Sequence, residues 1–494
     1  MRLGRRMMLG LMLGGVARTA FGEEVTVSPY PKARPEGLQT RAIPSGEDLV
    51  AKAGLGGAVA YAVAEAATGE MLEVRNPLLR LPPASVAKTV TALYALDHLG
   101  AEHRFVTRVI ATGPVREGIV QGDLVLAGGG DPTLDTDGLG LLAEQLAEAG
   151  IRGVSGAFRL YDGALPRVAQ IDGEQTEYAG YNPTIGGLNV NFNRVHFEWR
   201  RQGEDYSLRM DARAERFAPD VQVARVRIST RDAPVFDHEP GEERDEWTVA
   251  RAALGNGGAR WLPVRLPTVY AGEVFRAVAA QQGVTLDHGT RVEALPEGRE
   301  VARLESAPLT VVVRDMLKYS TNLTAEVLGL AASRARGLGV TSLPASAAAM
   351  THWARARLGM RHIDFVDHSG LGGASAVTVA DLVHMLSAEG VEAQLAPLMK
   401  PVPMRDAQGN VMRDPPAQVH AKTGTLDFVS TLAGYAEAAG GRRMAFAIFA
   451  ADLDRRAAAK AAGVEIPQGA RGFNGGAKRL QQALLGRWAG LYGG

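Results

Sequence analysis

The sequence predicts a mixed α/β (α+β) fold, in which one antiparallel sheet is assembled from both ends of the chain. Helices flank the sheet, and a large β-rich insertion interrupts it. Three observations carry this expectation. Apolar, strand-like runs lie near the start (58–63 and 71–74) and near the end (431–436 and 444–451), with helical patterns between. The block from about 104 to 300 is rich in strand-like stretches and holds no concentrated set of catalytic residue types. With 494 residues the chain is also too long for one ordinary core.

Composition narrows the partners. Apolar residues make up 46% and charged residues 22%, as in globular soluble proteins. The 54 basic and 54 acidic side chains cancel, which removes the electrostatic case for nucleic acid. No cysteine is present, so disulfides and thiolate zinc sites are excluded. Arg2, Arg5 and Arg6 precede an apolar run over 7–17, and Ala20-Phe21-Gly22 supplies small residues for cleavage. This pattern predicts a signal peptide over 1–22 and an exported mature chain, by the general or the twin-arginine route. No later run approaches the roughly 18 apolar residues of a spanning helix.

In chain order, residues 23 to about 40 read as an exposed, proline-containing leader. Two strands follow, joined by a turn at Thr68-Gly69. Pro82-Pro83 marks a helix start, because proline suits a first turn. Val86, Val90, Leu93, Leu96 and Leu99 then recur at helical spacing up to Gly100. Strand-like stretches follow at 106–110, 123–126, 156–161, 188–199 and 221–230, with a helix at about 139–149 and a charged loop at 237–246. Gly128-Gly129-Gly130-Asp131-Pro132 reads as a structural turn, since its spacing fits no phosphate-binding loop. Helices return at 323–334 and 379–389. A strand at 419–426 precedes the two final apolar runs, Gly440-Gly441 forms a hairpin turn, and 476–492 is an amphipathic helix. The expected layout is a catalytic domain over 23–103 and 301–494, split by one or two accessory domains over 104–300, the inner one at about 195–265.

Three short motifs carry chemistry: Ser85-x-x-Lys88, Ser320-Thr321-Asn322 and Lys422-Thr423-Gly424. One helical turn separates Ser85 from Lys88, so an amine reaches a hydroxyl on one face. A serine that attacks an amide carbonyl needs a base, and a lysine serves when burial and nearby positive charge lower its pKa. Lys422 can supply that charge. Ser320 can relay a proton to the leaving amine, and Asn322 can hold Lys88 or the substrate backbone. Thr423 and Lys422 suit a terminal carboxylate, and an edge strand from Lys422 can add an extended peptide. The backbone N–H groups of Ser85 and Thr425 are candidates for an oxyanion hole. Only eight of the 54 basic residues are lysines, so two in motif positions is not a compositional accident.

The trio in this order resembles the serine penicillin-recognising enzymes. The 235 residues from Ser85 to Ser320 imply an insertion of the kind found in class C low-molecular-mass penicillin-binding proteins, the D-Ala-D-Ala carboxypeptidase/endopeptidase family. Gly128 to Leu134, Tyr181-Asn182-Pro183 and Leu188-Asn189-Val190-Asn191-Phe192-Asn193 are similar to segments of that family. The resemblance implies a β-lactamase/transpeptidase-like catalytic domain and a periplasmic enzyme acting on peptidoglycan stem peptides that end in D-Ala-D-Ala. It makes Ser85 the nucleophile, Lys88 the base, Ser320 and Asn322 the second motif, and Lys422, Thr423 and Gly424 the third. It further implies covalent inhibition by β-lactams and no metal or organic cofactor. One departure stands out. The family often carries an arginine, near the substrate side chain, where Gly373 stands here, which leaves contact with a diamino acid's free end unassigned; Asp172 or Glu174 are acidic candidates. His368 is read as a loop histidine. A β-lactamase and a non-catalytic wall-binding protein of the same fold are the alternative functions.

Overall fold

Strand-forming runs from opposite ends of the chain meet in a single five-stranded sheet. The computed structural model describes residues 43–463 and 467–493, so the predicted signal peptide and leader lie outside the described residues. Helix α1 (Gly46–Ala53) precedes the hairpin of β1 (Ala58–Glu65) and β2 (Met71–Arg75), which turns at Gly69 with φ +70°. A 3₁₀ turn over Ala84–Val86 then runs into α2 (Ala87–Leu99).

The middle of the chain builds its own sheets. Its first elements are β3 (Val106–Ala111), β4 (Val115–Arg116), β5 (Ile119–Val120), β6 (Leu124–Ala127), α3 (Thr136–Glu148), β7 (Gly153–Val154) and β8 (Phe158–Tyr161). Next come β9 (Arg194–Gln202), β10 (Asp205–Asp211), β11 (Ala224–Ser229), β12 (Phe236–Pro240), β13 (Asp245–Ala250) and β14 (Gly257–Pro263). Helix α4 (Pro267–Gln281), β15 (Thr290–Val292) and β16 (Arg299–Glu305) complete the block. They form a five-stranded sheet in the order β15-β8-β6-β3-β16 and three-stranded sheets β10-β9-β14, β11-β13-β12 and β4-β5-β7. Leu126, Phe158, Phe197, Trp247 and Phe275 belong to one apolar core drawn from this block alone.

The remaining helices are α5 (Leu309–Tyr319), α6 (Asn322–Ala335), α7 (Leu343–Leu358), α8 (Val379–Leu386) and α9 (Val391–Leu395). The chain closes with β17 (Ala417–Leu426), β18 (Val429–Ala438), β19 (Arg443–Ala451), α10 (Leu453–Ala461) and α11 (Ala470–Tyr492). The sheet order is β17-β18-β19-β1-β2, antiparallel throughout. Both faces of β1 are covered, which is why it reads as a continuous apolar run. Ala60, Ala62 and Ala64 face the core shared with α2, α6 and α8, while Val59, Tyr61 and Val63 face the core under α11. Tyr61 meets Trp488 of α11 edge-on at 5.8 Å.

Helix α2 is buried at every position from Ala87 to Leu96. An all-round buried helix is the centre of a domain, not a surface element. Its polar residues Lys88, Thr89 and Thr91 are therefore committed to specific partners.

Three local expectations are corrected, and one helix appears that none announced. The predicted charged loop at 237–246 contains β12 and the start of β13, whose charges alternate outward while Phe236, Asp245 and Trp247 are buried. The predicted strand at 188–199 begins only at Arg194. Asn191, Phe192 and Asn193 all take positive φ, held by asparagine side chains such as Asn193, which donates to the Thr184 carbonyl at 2.8 Å. The terminal helix starts at Ala470, six residues before Gly476, and the β-rich block carries a fifteen-residue helix, α4, that no strand pattern announces.

Candidate active site

Segments hundreds of residues apart supply one cleft. Ala84 takes φ 46° and so turns the chain sharply enough for Ser85 to sit in the 3₁₀ turn ahead of α2. Lys88, on the next turn, is fully buried. Its Nζ donates to Ser85 Oγ at 3.0 Å, to Asn322 Oδ1 at 2.8 Å and to the Ser369 carbonyl at 2.8 Å. Burial pushes the Lys88 amine down to about 8, against the opposing pull of the Glu326 and Asp367 carboxylates.

Ser320 and Asn322 lie at the joint between α5 and α6. Ser320 caps α5 in the left-handed region at φ 61°, with its N–H on the Met316 carbonyl at 2.8 Å. That bend aims its hydroxyl at Lys422, whose Nζ donates to Ser320 Oγ at 2.9 Å and to the Thr423 carbonyl at 2.8 Å. Lys422 is buried too, and desolvation, then the charges of Lys88 and Lys400, hold its amine well below its ordinary value. Asn322 bridges outward as well, donating from Nδ2 to the Tyr181 carbonyl at 2.9 Å.

Strand β17 is an edge of the sheet. The segment around Lys400 and Val402 covers its outer side, with Val402 N–H on the Val419 carbonyl at 2.8 Å and Ala421 N–H on the Lys400 carbonyl at 3.1 Å. That cover stops where Lys422 begins; Thr425 is exposed and lines the cleft beside Ser85, while Gly424 is packed against the serine turn. A Cβ at Gly424 would lie 2.1 Å from Thr431 Oγ1 and 2.9 Å from both the Pro83 carbonyl and the Ser85 nitrogen. Only glycine lets the strand come this close. Thr431 Oγ1 fastens the same turn by donating to the Pro83 carbonyl at 2.8 Å.

The resulting cleft has a volume of about 560 Å³ and is lined by Ser85, Ser320, Asn322, Thr425, Tyr181 and Arg456, among others. All eight residues singled out in the three motifs are thus at or directly behind one surface.

Sequence reasoning missed the supports. Glu326, fully buried on α6, accepts from the N–H groups of Ser369 and His368, each at 2.8 Å. It thereby clamps the peptide whose carbonyl holds Lys88. Burial, reinforced by Asp367, raises its carboxyl to about 8. Asp367 accepts from the Gly370 and Gly372 N–H groups at 2.7 and 2.5 Å, and burial raises it to about 6. A usable signal existed for Glu326: it stands one turn after Asn322 on an otherwise apolar helix face. His368 points away into the core. Its Nε2 pairs with Ser346 Oγ at 2.8 Å, and burial pushes the imidazole down to about 3, so it is neutral.

The acidic candidates divide. Asp172 organises its own loop, accepting from Glu174 N–H at 3.1 Å and Gln175 Nε2 at 2.7 Å. Glu174 lines the cleft and forms an ion pair with Lys460 of α10. The space a side chain at Gly373 would enter is already occupied. A Cβ there would meet Lys460 Nζ at 2.9 Å and Arg456 Nη2 at 3.4 Å.

Comparison with known proteins gives a consistent result. The model of the D-Ala-D-Ala carboxypeptidase 3 (S13) family matches residues 47–467. A D-alanyl-D-alanine carboxypeptidase of an Actinomadura species is 29% identical over 462 residues, covering 84% of this chain and 83% of its own. The D-alanyl-D-alanine carboxypeptidase DacB of Haemophilus influenzae is 25% identical over 395 residues, covering 74% and 79%. Among solved structures, penicillin-binding protein 4 (dacB) of Haemophilus influenzae matches with a TM-score of 0.70 at 20% identity, over 90% of this chain and 99% of that one. That last likeness is one of fold, the β-lactamase/transpeptidase-like fold.

Proposed function

The chain belongs to the D-Ala-D-Ala carboxypeptidase 3 (S13) family, a family of serine peptidases, and from that premise we propose that it hydrolyses peptidoglycan stem peptides through an acyl-enzyme on Ser85. The observation that carries this reading is the pairing of two buried amines with two hydroxyls. Lys88 holds Ser85 at 3.0 Å and Lys422 holds Ser320 at 2.9 Å, around one cleft.

In this mechanism neutral Lys88 takes the Ser85 proton as Oγ attacks the carbonyl of the penultimate D-alanine. The N–H groups of Ser85 and Thr425 receive the oxyanion. The C–N bond breaks as the proton held by Lys88 passes through Ser320, beside Lys422, to the leaving amine, which leaves Lys88 neutral again. Lys88 then deprotonates a water that attacks the acyl carbonyl, and the proton returns to Ser85 Oγ as the acyl group is released. The substrate lies along the free edge of β17, with its terminal carboxylate against Lys422 and Thr423. Loss of a terminal D-alanine is the carboxypeptidase reaction; the same chemistry on a cross-link is an endopeptidase reaction. A β-lactam would acylate Ser85 equally, with its ring nitrogen tethered to the acyl group. The block over 104–300 acts as accessory domains that bring Tyr181 and Glu174 to the cleft, and the chain works in the periplasm after export.

Incubation with purified muropeptides, monomeric and cross-linked, followed by mass analysis tests the reading. Loss of one alanine from monomers marks carboxypeptidase activity, and conversion of dimers to monomers marks endopeptidase activity. Fluorescent penicillin should label wild type and not Ser85→Ala. Equal labelling of both would remove Ser85 from the reaction, and fast turnover of penicillin would indicate a β-lactamase.

A further inference from the structure

A second cavity, of about 580 Å³, lies where the block over 104–300 meets the catalytic helices. Arginines line it, and among the described residues no aspartate or glutamate does. Helix α2 runs 13 residues, roughly 20 Å, from beside Ser85 to Leu99 at this cavity. Helix α6 starts at Asn322 and reaches the same place with Ala331 and Arg334. The two helices that carry reacting groups at one end thus meet the cavity at the other. Strands β3 and β16 bring Arg108 and Arg303 to its wall, directly opposite each other in the ladder. Like charges in that register are destabilising. Glu305 pairs with Arg303 at 2.7 Å, but among the described residues no carboxylate stands at ion-pair distance from Arg104, Arg108 or Arg334. Arg104 donates to the Ser306 carbonyl at 2.7 Å, which leaves most of its five-donor fork uncommitted.

Helix-end electrostatics account for only one of these cations. Arg334 stands in the last turn of α6, where a positive charge offsets the negative end of the helix dipole. Arg108 sits half-buried within β3 and faces another arginine, so no such role applies to it. Gly128 and Gly129 line the same cavity, and a Cβ at Gly129 would lie 2.1 Å from the Val106 carbonyl. That part of the wall is therefore bare backbone, which leaves room beside the arginines. We propose that Arg104, Arg108 and Arg334 form an exosite for the free terminal carboxylate of a second stem peptide, while the scissile one lies beside Ser85. Every uncleaved stem peptide ends in such a carboxylate, and a guanidinium fork takes it by two parallel hydrogen bonds. A span of roughly 20 Å needs about six extended residues, so a tripeptide held at Ser85 does not reach the exosite. The proposal rests on the acyl-transfer reading of Ser85 and adds to it a preference for substrates that carry more than one stem peptide.

The test compares full-length mature protein with Arg108→Gln, Arg334→Gln and the double variant. Two substrates are used: an N-acetylated tripeptide ending in D-Ala-D-Ala, and soluble glycan strands bearing many stem peptides with the same ending. Release of D-alanine gives KM and kcat, and fluorescent penicillin reads the state of the Ser85 site. In the double variant the KM for strands, counted per stem peptide, should rise about tenfold, the scale of a charge-assisted hydrogen bond, while kcat, tripeptide hydrolysis and penicillin acylation stay within about twofold of wild type. Arg334 is exposed, so Arg334→Glu decides alone if Arg108→Gln does not fold. A strand KM that stays at the wild-type value, or a tripeptide KM that rises in parallel with it, overturns the proposal. A wild type that neither takes penicillin nor hydrolyses either substrate would instead overturn the acyl-transfer reading itself.

Discussion

A methyl group on Gly424 would stand 2.9 Å from the backbone nitrogen of Ser85, although 339 positions separate the two residues. The strand and the serine turn are packed backbone to backbone, and this contact sets the width of the cleft. Gly424→Ala should push β17 away from the turn or twist the turn itself. A displacement of about 1 Å can cost on the order of 100-fold in rate. The expected outcome is penicillin acylation slowed by about that factor, with a modest change in Tm; acylation at the wild-type rate would show that the strand yields instead.

The pH dependence follows from Lys88. Its pKa is lowered to about 8, so the neutral amine is more abundant near neutrality than in an exposed lysine. Roughly a tenth is neutral at pH 7, against about one part in three thousand for a pKa near 10.5. Lowering the pH adds a proton and removes the base. Acylation by a β-lactam should therefore rise about tenfold per pH unit on the acid side and level off above about pH 8. A limb centred near the ordinary lysine value would remove Lys88 as the base.

Glu326→Gln separates charge from scaffold. The Glu326 carboxylate is the first opposing influence on Lys88, with Asp367 beside it, and both favour the protonated amine. The Glu326 carboxyl is itself raised to about 8, so its charge bears on Lys88 only where it ionises, toward the top of the limb; removing that charge lowers the Lys88 pKa there, and the plateau should be reached at lower pH. The amide can accept from only one of the Ser369 and His368 N–H groups, which should cost about 1–3 kcal/mol of stability. Urea denaturation reads the second effect and the pH profile the first. A limb that does not move, with stability lost, would make Glu326 a structural clamp only.

Ser320 combines a strained backbone with a hydroxyl. At φ 61° alanine should be less stable than glycine by about 1–2 kcal/mol. Both Ser320→Gly and Ser320→Ala deprive Lys422 of its 2.9 Å acceptor. Peptide turnover should fall by about 100-fold or more in both, whatever their Tm values. If the glycine variant keeps wild-type turnover, the hydroxyl has no part in proton transfer.

Much of this was legible in the chain. The strands at both ends, the helix after Pro82-Pro83 and the three motifs all announce themselves locally, because hydrophobic period and turn residues act over a few positions. The left-handed run Asn191-Phe192-Asn193 did not, since side-chain bonds to distant carbonyls such as that of Thr184 override strand propensity there. Helix α4 stayed hidden in a stretch of the β-rich block for which no element was expected.

By itself the sequence determined which groups can react: a serine and an amine one helical turn apart, with a second serine, an asparagine and a second lysine in recognisable contexts. Their proton affinities and the shape of the site were decided only by the tertiary structure. Burial of Lys88 among Glu326, Asp367 and Ser369 assembles α2, α6 and the loop before α8, and desolvation acts only once those elements close over it. The cations that face Gly373 come from α10, 83 and 87 positions onward in the chain, and no local pattern connects them to that glycine. Electrostatics and steric approach depend on distances in space, which spacing along the chain does not encode.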